Sequence, residues 1–289
     1  MTAGNSPVST ALHQVYVYDV SADHWDHLPP SGHYSGIPCI IGRKLAIIGG
    51  CLSATNEATN KVSTFDETSQ TWTSYYPNLI SARIKPGIVT HLEHVIVIGG
   101  SASIGAEVLY NDIEVLDWIE NFSWKPVSVK LPVPMWAFVP MIYDDCLFIV
   151  GHDIALMLGS NAAYKISLAS ITSKQQQPNK TRSRWTKITP TTYWDTAVFS
   201  ISSPPVVVGG HDREGTIPIA DIKMYDQSTQ QWNVIASLSS ARSQVAVAPI
   251  ASNAVVAIGG CTQGDMLASA LSSSLAIVEL GQAVHNVEL

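Results

Sequence analysis

Charge is scarce in this 289-residue chain: aspartate, glutamate, lysine and arginine make up 13% of it, against 46% hydrophobic residues. What charge there is leans acidic, with a net value of −7. General binding to nucleic acid or to an anionic membrane wants a basic surface, so neither is expected as a partner. Cysteine is sparse too. Cys39, Cys51, Cys146 and Cys261 are scattered without a Cys-x-x-Cys pair, which reads as reduced thiols in a cytoplasmic protein rather than a disulfide framework. No apolar run reaches the roughly 18–20 residues that span a bilayer. Residues 1–14 lack the basic start and apolar centre of a secretory signal and are expected to be a disordered segment. The sequons at Asn121 and Asn179 are accordingly taken as chance.

What is present is a repeat. Paired glycines close a hydrophobic run at Gly49-Gly50, Gly99-Gly100, Gly209-Gly210 and Gly259-Gly260, with a degenerate copy at Val150-Gly151. The steps between second glycines are 50, 51, 59 and 50 residues. A near-constant period means one structural unit used again and again. Each pair ends a short β-branched or aliphatic run (KLAIIGG, HVIVIGG, LFIVG, PVVVGG, AVVAIGG). Such a run predicts a buried strand, with glycine supplying the positive φ at its exit. A strand precedes each run, as in residues 37–41 and 244–250. A third follows, with an aromatic–acid ending in VYVYDV, VSTFDE and IKMYDQ, and a fourth carries Trp25, Trp72, Trp124, Trp185 or Trp232. Tyr18 to Trp25, Phe65 to Trp72 and Tyr225 to Trp232 are each seven residues apart, with turn formers between. That spacing predicts a hairpin with ring and indole on neighbouring strands.

Gly-Gly, then an aromatic followed by Asp, then Trp resembles the kelch repeat, and the resemblance covers roughly residues 15–280. It implies an all-β fold: a kelch-type β-propeller of four-stranded antiparallel blades. The best copies are 62–100 and 222–260; the middle copy departs most, with Val150 for the first glycine and no aromatic–Asp pair at Tyr164-Lys165. Two strands at 15–28, four blades near 35–76, 83–127, 136–188 and 193–235, and three strands at 243–280 total about 21, against 20 for five blades and 24 for six. Either five blades close with one strand over, or a six-bladed ring, the commoner kelch number, lacks three. The second case corresponds to a truncated product of a longer kelch protein. Residues 281–289 are expected to be a tail.

In a propeller the loops sort onto two faces, and one face collects the candidate contacts. Trp136 and Trp194 stand near the starts of their first strands, outside the repeat's own tryptophans. The same two blades carry Gly151-His152-Asp153 and Gly210-His211-Asp212, with Asp195 and Arg213 near. Tryptophans beside His-Asp pairs suit a partner-docking surface. Arg83 and Arg242 end matching Ser-Ala-Arg triplets on that face, where the resemblance implies arginines that bind acidic peptides; the aligned neighbourhoods elsewhere hold His33, Pro134 and Tyr193. On the opposite face the stretch 170–184 holds Lys174, Lys180, Arg182 and Arg184 without an acid, a basic insert in an acidic chain.

The same residues bear on the enzyme classes. No His-x-His spacing offers a metal site, no glycine loop precedes a helix to hold phosphate, and no Ser-His-Asp set is argued by spacing. No catalytic residue, metal or cofactor is expected. The expectation is a non-catalytic protein–protein interaction module of scaffold or substrate-adaptor type that takes a protein or peptide partner. The resemblance alone adds actin or ubiquitin-ligase components as partners, and a propeller enzyme acting on a carbohydrate or small alcohol as the alternative.

Overall fold

The apolar runs that end in glycine become the second strands of successive antiparallel sheets. The computed structural model describes residues 15–19, 21–104, 108–153, 160–172, 184–190, 197–199, 204–212, 217–243, 245–251, 254–262 and 275–279. The expected N-terminal segment 1–14 and tail 281–289 lie outside them. The chain divides into two compact units, one carrying the sheets up to residue 126 and the other those that follow.

In the first unit, β1 (Val15–Asp19) and β2 (His24–Leu28) form a hairpin. β3 (His33–Tyr34), β4 (Ile37–Ile41), β5 (Lys44–Ile48), β6 (Cys51–Leu52), β7 (Val62–Asp66) and β8 (Thr71–Thr73) follow. Their sheet runs β4-β5-β7-β8, while β3 pairs with β6. β9 (Gly87–His91), β10 (His94–Ile98), β11 (Ile113–Asp117) and β12 (Ser123–Pro126) make the next four-stranded sheet.

The second unit repeats the plan. β13 (Trp136–Tyr143), β14 (Cys146–Asp153), β15 (Ser160–Ser167) and β16 (Thr186–Lys187) form one sheet, with the short helix α1 (Ala169–Thr172) between the last two strands. β17 (Ala197–Phe199), β18 (Val206–Val208), β19 (Asp221–Asp226) and β20 (Gln231–Ser237) form another. β21 (Ala246–Ala251), β22 (Ala254–Ile258) and β23 (Leu275–Glu279) form a three-stranded one. The chain is thus all-β, with several four-stranded antiparallel sheets. The short β3–β6 pair and α1 are additions to the expected strands.

Position in the sheet explains composition. Second strands are sealed on both faces: Val95, Ile96, Val97 and Ile98 of β10 and all of β18 are fully buried. They read as unbroken hydrophobic runs for that reason. Outer strands such as β8 and β16 are largely exposed. Between consecutive sheets lie apolar clusters. Ile48, Val62 and Tyr76 meet Val97, Leu116 and Trp124 in the first unit. In the second, Phe148 and Val150 meet Val207 and Tyr225, and Val208 and Ile222 meet Val245 and Val255. First strands neighbour one another within each unit: β4 beside β9, β13 beside β17 and β17 beside β21.

The glycine pairs end the ladders because their backbone leaves the strand region. All eight glycines of the four full pairs take positive φ, from 54° at Gly99 to 110° at Gly210. Where Val150 replaces the first glycine, the ladder runs on. Gly151 stays opposite Phe138 and Ala162, and pairing continues to Asp153 opposite Ser160. A β-branched residue is at home in the strand and not in the left-handed region.

Candidate functional site

A joint recurs at the glycine end of the sheets. His33 Nδ1 donates to the Gly49 carbonyl at 2.6 Å, Arg83 Nη1 to Gly99 O at 2.8 Å, and Arg242 Nη1 to Gly259 O at 3.1 Å. In these three repeats a basic side chain thus reaches the carbonyl of the first glycine. The backbone of the same arginines closes the preceding repeat: Gly50 N–H donates to Arg83 O and Gly210 N–H to Arg242 O, both at 2.9 Å.

Arg83 and Arg242 were expected to face a partner, and the structure corrects that. Their side chains are buried, 0% and 2% exposed. The Arg83 guanidinium pairs with the Glu114 carboxylate and lies 4.8 Å over the Tyr110 ring. Glu114 also accepts from the Ile80 and Ser81 amides. A buried charge must be matched by such partners, and this one is committed to them. Burial lowers the pKa of His33 and keeps its ring neutral at the same position. The signal for this joint is in the spacing: the basic residue precedes its glycine by 16, 16 and 17 residues.

The repeat tryptophans form a second joint. Tyr18–Trp25, Phe65–Trp72 and Tyr225–Trp232 are paired across their hairpins with ring centroids 4.9, 5.3 and 5.2 Å apart, as the seven-residue spacing predicts. The indole N–H reaches back to the preceding repeat: Trp72 to Pro29 O, Trp124 to Pro77 O, Trp185 to Lys130 O and Trp232 to Thr189 O, at 2.7–2.9 Å. The hairpins themselves are closed by Asp19, Asp66, Asp117 and Asp226, whose carboxylates accept from amides two and three residues on. The third sheet has Lys165 where this aspartate belongs, and its last strand has shrunk to two residues.

The remaining candidates sit where the ladders end. Trp136 opens β13 and is the register partner of His152 on β14, so the structure brings these two backbone positions together, and Asp153 follows. His211 bridges to Pro218 and is buried, 5% exposed. Asp212 is half-buried and accepts from the Ile217 amide at 3.0 Å. The two His-Asp pairs therefore sit differently, one within a ladder and one at an isolated bridge. Trp194 and Arg213 lie outside the described residues, as do Lys174, Lys180 and Arg182 of the basic insert.

Sequence spacing gave no hint of a groove of about 530 Å³ at the outer edge of the third sheet. Val129, Lys130 and Pro132 line one side, and Tyr164, Arg184, Trp185 and Lys187 the other. The cations are 54 residues or more apart along the chain across the groove, and only the fold assembles them.

All four cysteines are free thiols. Burial pushes the Cys39 thiol up to about 12 and raises Cys51 and Cys146 as well, so none of these three is activated as a nucleophile. Among the described residues no three histidine, cysteine or acidic side chains gather as a metal cage would need. Among them also, no helix is long and apolar enough to cross a membrane. Set beside known proteins, the chain matches no family model and no curated protein.

Proposed function

We propose that this chain is a kelch-type β-propeller serving as a non-catalytic protein-binding module. The observation that carries the reading is the joint repeated from sheet to sheet, with a basic side chain on three of the first-glycine carbonyls and an indole on the preceding repeat. First strands lie side by side within each unit, the arrangement that radial blades use. The polar groups that mark the repeat are consumed in holding sheets together, so recognition falls to the loops.

The docking surface in this reading includes the end of the third sheet, where Trp136 and His152 are register partners, and takes Trp194 as the second aromatic anchor from the sequence pattern alone. The partner is a protein or peptide, with actin or ubiquitin-ligase components the classes that the kelch resemblance suggests. Four free thiols suit a cytoplasmic setting.

Affinity capture by the full chain and by Trp136→Ala/Trp194→Ala, both checked for folding by circular dichroism, tests the reading. A partner held by the first and lost by the second supports it. Equal capture by both overturns the docking surface, and turnover of a sugar or alcohol substrate overturns the class.

A further inference from the structure

We propose that the groove at the outer edge of the third sheet is a separate contact site for an acidic peptide segment. The proposal does not rest on the docking surface described above.

Among the described residues three cations, Lys130, Arg184 and Lys187, line the groove, and no carboxylate does. The described ion pairs lie elsewhere, at Arg83–Glu114, His24–Asp26 and His94–Glu93. In a chain of net charge −7 this is a concentrated exception. Like charges gathered in one place repel one another, and an anionic occupant removes that cost.

The fold supplies its own control. The next repeat has the corresponding groove, about 380 Å³, beside Trp232, lined by Thr189, Pro190, Lys223, Thr229, Gln230 and Gln231. In each groove the indole donates to the opposite wall, Trp185 to Lys130 O and Trp232 to Thr189 O. The architecture is shared, yet Thr189 stands where the basic groove has Lys130, and one cation stands where it has three. The sheets do not require the basic lining.

The shape favours an extended chain. Among the described strands β16 is the last of its sheet, paired with β15 alone through Tyr164 opposite Lys187 and Lys165 opposite Thr186. An edge of this kind accepts an added strand. Residues two apart on an added strand project side chains roughly 7 Å apart to one face, so successive acids reach separate cations. The half-buried Trp185, its orientation fixed by its hydrogen bond, offers an aromatic wall. A long polyanion such as RNA would extend past these three cations onto an acidic protein, which disfavours it.

Fluorescence anisotropy of a fluorescein-labelled hexaglutamate peptide, titrated with the full chain at low salt, tests the site. Saturable binding is expected. It should weaken at least tenfold in Lys130→Gln/Arg184→Gln/Lys187→Gln and in the single variant Lys187→Glu. It should change less than twofold in the charge-matched Arg43→Gln/Lys61→Gln/Lys125→Gln. Trp136→Ala/Trp194→Ala should bind the peptide as the unaltered chain does, so failure of the first docking surface leaves this result standing. Absence of saturable binding, or equal weakening in both triple variants, overturns the proposal. So does tighter binding of a labelled oligouridylate, or displacement of the peptide by low millimolar inorganic phosphate.

Discussion

The carbonyl oxygen of Arg83 stands 2.5 Å from the place that a β-carbon on Gly49 would occupy. The next repeat passes so close over the glycine pair that only hydrogen fits. Gly49 also holds φ at +66°, whereas Gly32, at +80°, has open space around its missing side chain. Gly49→Ala should cost about 2–4 kcal/mol, since backbone strain and a backbone collision add. Gly32→Ala should cost only about 1 kcal/mol for the left-handed conformation. Urea denaturation of both variants checks this, and equal losses would show that the Arg83 chain can move aside.

Arg83→Met strands the buried Glu114 carboxylate. The expected loss is about 3–5 kcal/mol. Arg83→Met/Glu114→Gln removes both charges and should be more stable than Arg83→Met alone. A double-mutant cycle by chemical denaturation reads the difference, and simple addition of the two losses would contradict the pairing.

The indole hydrogen bonds differ in burial and should differ in worth. Trp124 is 8% exposed and its bond is partly buried, so Trp124→Phe leaves the Pro77 carbonyl short of a donor where water has little access and should cost about 1–3 kcal/mol. Trp72 makes its bond to Pro29 at an exposed site, where water replaces the indole, and Trp72→Phe should cost about 0.5–1.5 kcal/mol. Thermal unfolding of the two variants ranks them.

Asp226 predicts an acid response. The Ser228 hydroxyl, then the Thr229 side chain and the two amides, hold its carboxyl at about 2. The folded value lies below the unfolded one, so the contribution is fully present above about pH 4. It is lost as pH falls through about 2. Carboxyl carbon shifts followed by NMR should show the low midpoint, and Ser228→Ala should move it upward. An unchanged midpoint in Ser228→Ala would assign the shift to the amides.

The sheets were legible because burial on both faces writes itself as runs such as HVIVI, and the glycine pair marks where each run must stop. The ring-to-indole pairs were legible because a hairpin fixes their separation. Arg83 was misread for a physical reason. A Ser-Ala-Arg triplet between strands looks like a solvated loop, and the carboxylate that neutralises it, Glu114, lies 31 residues on. Aligning His33, Arg83 and Arg242 by their distance to the following glycine pair recovers the role. The basic groove has no such rule, because Lys130 and Lys187 belong to different turns of the repeat and meet only when Trp185 docks on the Lys130 carbonyl.

The joints run in both directions along the chain. Indole donors on later repeats seek earlier carbonyls, 43 to 55 residues back, while the amides of Gly50 and Gly210 wait for carbonyls that come later. A single sheet cut out of the array would therefore carry orphaned groups at both ends: an indole without the carbonyl before it, and a glycine amide without the carbonyl after it. Each sheet borrows from both neighbours, so the chain is built to fold as an array and not as separable sheets.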